Sequence, residues 1–120
     1  MDFDMNIAYV KNSLQIDSDE MRSIQECAVK HNIVVCLGFS ELRGKSVYIA
    51  QCTIDSDGNL SMNRRKLKPF HQERTIFGDG DGSSLNNVSQ TTVGRVGQLS
   101  CGVSQPLSVL GLCVVAKEWF

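Results

Sequence analysis

The chain has 120 residues, a net charge of -1, and 42% hydrophobic against 21% charged residues. These proportions exclude a disordered chain and fit one soluble globular domain. The charge balance excludes a bulk attraction to nucleic acid or to an anionic membrane, and the longest apolar stretch, 107–116 with Ser108 and Gly111 inside it, is far shorter than the roughly 20 residues of a membrane span.

The first helix signal comes at Asp17. With Glu20 three residues on it reads as a capping-box variant. Met21, Ile24, Cys27 and Ala28 follow at helical spacing. Lys30 and His31 suit the negative end of the helix dipole, and Asn32 is a stop residue. Ile33-Val34-Val35-Cys36-Leu37-Gly38-Phe39 is continuous and apolar, as expected of a strand buried on both faces. After a turn around Gly44, residues 46–54 are rich in β-branched side chains and predict a second strand. Asp55-Ser56-Asp57-Gly58 predicts a hairpin, with a return strand through Leu60 and Met62 that runs into Arg64-Arg65-Lys66. Residues 67–87 are loop-like, with Pro69 and the run Gly78-Asp79-Gly80-Asp81-Gly82. A loop of that length in a compact domain usually carries function. Two further strands, 88–92 and 96–101, are predicted around Gly94. The order predicts a mixed sheet with helices outside it, and a core of Val34, Leu37, Phe39, Tyr48 and Ile49.

Five cysteines, at positions 27, 36, 52, 101 and 113, follow no zinc spacing. The start at Asp2 and Asp4 is not that of a secretory leader, so free thiols in a reducing, cytoplasmic compartment are expected. The Gly-Asp run lacks the ligand set of a calcium loop, and His31 and His71 have no partner motif. No metal and no cofactor are expected.

Three residues can carry chemistry. Cys101 closes an apolar strand and precedes Gly102, a place that holds a nucleophile rigid yet accessible; a buried free thiol is the plainer alternative. Lys66 lies among Arg64, Arg65 and Lys68, where a fixed ammonium can stabilise an anion, or can simply be part of a solvated basic patch. Glu73 can orient Lys66 or move a proton, or can form a surface ion pair with Arg74.

Taken together, these segments resemble one family. Residues 32–41, ending Gly38-Phe39-Ser40-Glu41, and the strand Ser46-Val47-Tyr48-Ile49-Ala50-Gln51 are similar to two nitrilase strands. Arg64-Arg65-Lys66-Leu67-Lys68-Pro69, followed by Glu73-Arg74-Thr75-Ile76-Phe77-Gly78, resembles the lysine segment of fungal nitrilases and cyanide hydratases. Gly94-Arg95-Val96-Gly97-Gln98-Leu99-Ser100-Cys101 falls at the nucleophile strand.

The implied fold is α/β: part of the four-layer-forming α-β-β-α nitrilase sandwich, truncated at both ends. It implies a partial carbon-nitrogen hydrolase domain over residues 1–107 and a divergent tail over 108–120. The implied substrate is a small nitrile or cyanide, without a nucleic-acid or membrane partner, in a homo-oligomer; the alternatives to a nitrilase are a cyanide hydratase that makes formamide and a non-catalytic fragment that joins full-length subunits. By position, Cys101 is the nucleophile that forms a thioimidate, Lys66 is the triad lysine, and Glu73 matches a second glutamate near it. The family's general-base glutamate belongs to an earlier segment and has no match here. Three departures stand out. Gly102-Val103-Ser104 replaces the family's Trp-Glu-His, Phe70 replaces a threonine, and the tail from 108 reads like a shifted frame or a retained intron.

Overall fold

The computed structural model describes residues 3–100. Cys101, the boundary expected at 107 and the 108–120 tail lie outside the described residues.

Helix α1 spans Phe3–Lys11. It is not among the predicted elements, and its apolar residues are not gathered on a buried face: Met5, Ile7 and Tyr9 are all exposed. Helix α2 spans Asp19–His31. Its N-cap is Ser18 rather than Asp17: the Ser18 hydroxyl accepts from the Met21 N–H at 3.3 Å and satisfies one of the free donors of the first turn. The stop at Asn32 is as expected, with left-handed φ of 51° and its N–H bonded to the Val29 carbonyl.

Strands β1 (Val35–Arg43), β2 (Ser46–Ile54) and β3 (Leu60–Arg65) form one sheet in the order β1-β2-β3. Both pairings are antiparallel. Parallel pairing, expected from a mixed sheet, is confined among the described residues to isolated bridges, Leu14 to Glu41 and Val47 to Phe77. Strand β1 starts later than predicted and is not buried on both faces, since Cys36 and Gly38 are exposed. The physical reason is one-sided cover. Val35, Leu37 and Phe39 pair with Ile54, Cys52 and Ala50 and share the face under α2. There Met21, Ala28, Cys52 and Ile54 are fully buried, with Leu14, Ile16 and Ile24 packed around them. Of the expected core, Leu37 and Phe39 join this cluster while remaining half-buried, and Val34, Tyr48 and Ile49 are half-buried outside it.

The hairpin at residues 55–58 is as predicted. Gly58 has φ of 83°, and an added Cβ would stand 2.9 Å from a Val29 methyl, so turn and helix both require glycine there. The second sheet is a hairpin of β4 (Val88–Thr91) and β5 (Gly94–Gly97). Strand β5 is shorter than the predicted 96–101. Asp55 ties the two hairpin tips, accepting from the Thr92 N–H and hydroxyl at 3.1 and 2.8 Å.

Fully buried apolar side chains are few among the described residues, and each carries a large share of the stability there. Met21→Ala is expected to cost about 2–5 kcal/mol, whereas Met5→Ala, at an exposed site, should stay within about 0.5 kcal/mol. Urea unfolding midpoints of the two variants check this.

Candidate active site

Successive residues at the end of β3 point to opposite faces. Arg65 pairs with Ala50 and so lies on the α2 face. Lys66 turns the other way. Its N–H extends the ladder by donating to the Ile49 carbonyl at 2.7 Å, and its own carbonyl accepts from the Gly80 N–H at 3.0 Å. The peptide at 66 is thus held from both sides.

The Lys66 side chain is 7% exposed, and its Nζ donates to Glu73 Oε2 at 2.6 Å. The same oxygen accepts from the Phe70 N–H at 2.7 Å. Glu73 reaches this position because the chain leaves the sheet, passes the buried Pro69, and coils into a 3-10 turn over His71–Thr75. The Glu73 N–H closes the turn on the Phe70 carbonyl. The Lys66 ammonium and the Phe70 N–H hold the Glu73 carboxyl below the usual carboxylate range. The alternative pairing with Arg74 does not occur: the Arg74 guanidinium donates to the Pro69 carbonyl.

The loop then returns to the sheet, where the Gly78 N–H donates to the Val47 carbonyl at 2.8 Å. The glycine run serves close approach. A Cβ on Gly80 would lie 2.8 Å from the Lys66 carbonyl oxygen and 3.1 Å from that of Arg65. Its acids are engaged in the chain itself: Asp79 pairs with Lys68, and Asp81 caps the short 3-10 turn Gly82–Leu85 through the Ser83 N–H. No group of three or more metal-binding side chains occurs among the described residues.

Lys68 is exposed, but the basic run over residues 64–66 is not a solvated patch. Arg64 is 7% and Lys66 6% exposed. Two further features were missed in the sequence. Glu41, at 1% exposure, accepts from Arg65 Nε and Nη2 at 2.7 and 2.9 Å, and the Arg65 guanidinium lies 4.1 Å over the Tyr48 ring. The i, i+2 spacing of Phe39 and Glu41 was the available signal, since it puts an acid on the apolar face. Removing one partner of a buried pair costs about 3–5 kcal/mol. On the other face, Arg64 donates to Gln51 Oε1 at 2.8 Å, and Gln51 Nε2 donates to the Leu99 carbonyl at 2.9 Å. The Gln98 amide donates to the Cys52 carbonyl at 2.8 Å and to Thr53 Oγ1 at 2.7 Å. Residues 98 and 99 are therefore fastened to β2. The expected approach of Cys101 to Lys66 lies outside the described residues. Among the described cysteines, Cys52 is buried, and that burial pushes its thiol up to about 11, which suits packing rather than attack.

A carboxyl held low by its partners contributes stability above its unfolded pKa, and that contribution is lost as pH falls through the lower folded value. Lys66→Met is therefore expected to raise the Glu73 titration midpoint toward the ordinary carboxylate range, while Arg74→Ala leaves it in place. A carbon-13 NMR titration of the Glu73 carboxyl checks both.

The carbon-nitrogen hydrolase family profile matches residues 3–103. An arylacetonitrilase of Hypocrea virens is 54% identical over 101 residues, 84% of this chain and 31% of that protein. A cyanide hydratase of Gibberella baccata is 46% identical over 110 residues, 92% of this chain and 31% of that protein. The chain thus spans about a third of the length of these relatives. Among solved structures, the C. elegans NitFhit protein superposes with a TM-score of 0.61 at 23% identity, over 84% of this chain and 26% of that one, which speaks to the fold. With the profile matched over most of its length and relatives at about half identity, the chain belongs to the carbon-nitrogen hydrolase family.

Proposed function

We propose that these residues are the lysine and nucleophile portion of an enzyme that attacks carbon–nitrogen triple bonds. The observation that carries the reading is the buried Lys66 amine, held on Glu73 at 2.6 Å at the end of β3. Burial of an ammonium costs energy that packing alone would not repay, whereas a pre-aimed donor is of use where negative charge develops.

In this reading the Cys101 sulfur adds to the nitrile carbon. A carbon–sulfur bond forms, the nitrogen takes up the displaced electron pair and a proton, and a thioimidate results. Water then adds to give a tetrahedral intermediate, whose charge Lys66 offsets. Expulsion of ammonia leaves a thioester, which a second water hydrolyses to the acid with release of the Cys101 thiol. Expulsion of the Cys101 sulfur instead releases an amide, which is formamide when the substrate is cyanide. The arylacetonitrilase match favours the first outcome. The cyanide hydratase match, over a larger share of this chain, keeps the second as the other reading. By the same resemblance the whole protein is a homo-oligomer, and the free thiols favour a reducing, cytoplasmic compartment for it.

The 120 residues by themselves are expected to release neither ammonia nor formamide above buffer, because none of them matches the general-base glutamate and Gly102-Val103-Ser104 stands where the family has Trp-Glu-His. A chimera tests the parent activity: residues 3–101 replace the corresponding segment of an arylacetonitrilase. Ammonia release from an arylacetonitrile is expected, falling by on the order of 10⁴-fold in Lys66→Ala or Cys101→Ala. Formamide from cyanide would favour the second reading. A folded chimera with neither activity would overturn both.

A further inference from the structure

The Lys66 amine must be aimed by something, since a lysine side chain has many rotamers. The β2–β3 ladder shifts register between Thr53 and Ile54, at the hairpin end, and is regular from the pair Thr53 and Met62 to the pair Ala50 and Arg65, with Lys66 one residue beyond that last pair. A slip of one residue would exchange the faces of Arg65 and Lys66. What opposes such a slip lies on the far side of the sheet. Glu41 is on β1, its Cα partnered with Tyr48, while Arg65 is on β3, partnered with Ala50. Their two-point bond therefore reaches across the whole of β2, over the Tyr48 ring. A guanidinium donates such a fork only when its plane is aligned with that of the carboxylate. On the main chain, the Arg65 N–H is fixed on Ser84 Oγ at 3.1 Å.

We propose that Glu41 is a positioning residue for Lys66: by clamping Arg65 across β2 it fixes the strand-end register that turns the Lys66 amine onto Glu73. The catalytic meaning of the clamp rests on the reading of Lys66 given above, but the coupling itself is geometric and is measured without turnover. A chimera that lacks activity would leave the outcome below unaffected.

The test uses the 120-residue chain with carbon-13 label in glutamate. The readouts are the titration midpoint of the Glu73 carboxyl, whose neighbouring charge is Lys66, and hydrogen exchange at the Lys66 and Gly80 amides. Arg65→Lys keeps the cation and loses the fork. Glu41→Gln combined with Arg65→Met removes both charges together, which avoids leaving one buried alone. In each, the Glu73 midpoint is expected to rise, and the Lys66 and Gly80 amides to exchange about 10-fold faster, while the amides of Ala28 and Cys52 keep their protection. Glu41→Asp, which retains a carboxylate, should shift the midpoint less than the Glu41→Gln and Arg65→Met double variant. An unchanged midpoint and unchanged local exchange in Arg65→Lys would overturn the proposal. So would unfolding, or a uniform loss of protection across the core, since either assigns the clamp to stability alone.

Discussion

Three consecutive cationic residues are drawn out of water where β3 ends, and each has to be given oxygen atoms. That requirement organises much of the chain. Arg64 takes the Ser84 carbonyl and Gln51, Arg65 takes Glu41 and lies over Tyr48, and Lys66 takes Glu73. The partners come from β1, β2, the 3-10 turn at His71–Thr75 and the one at Gly82–Leu85. A buried cation without such partners would be too costly to keep. The loop after β3 is thereby obliged to fold back instead of trailing in solvent. Gly78 and Gly80 carry the backbone of the returning chain close enough to reach Val47 and Lys66.

Local chemistry in the sequence reached the hairpins, because a turn needs only the residues within it. Gly44, the Asp-Gly tip at 57–58 and Gly94 mark the turns that the structure contains. Helix α2 was also legible, apart from a one-residue error at its cap that arose because Asp17 and Ser18 are both good capping types. Helix α1 was not legible, since a helix with its apolar side chains exposed shows no periodic stripe. The burial of β1 was overestimated for a related reason: a run of apolar residues does not say how many faces are covered.

The candidate site was legible through resemblance more than through chemistry. Taken by type, Lys66 among Arg64, Arg65 and Lys68 reads as a surface patch, and nothing local says that Arg64 and Lys66 are buried. Their burial depends on residues well separated in sequence, as in the bond from Glu41 to Arg65. Glu73 was placed beside Lys66 by family position, and the hydrogen bond agrees with that placement. Glu41 shows in the sequence only as the last residue of a strand segment. Its role emerges only once β1 and β3 are seen on either side of β2.

The meander of β1, β2 and β3 also has a consequence for how the chain folds. Neighbouring strands are joined by short turns, so their pairing closes small loops and loses little entropy in doing so. The contacts around Lys66 are of another kind. The Arg65 amide waits for a serine hydroxyl 19 residues away, and the peptide at 66 waits for Gly80 to come back to it. Sheet pairing can therefore precede the closure of the lysine pocket. A nascent chain would display its three cations to water first and withdraw them only when the loop has returned.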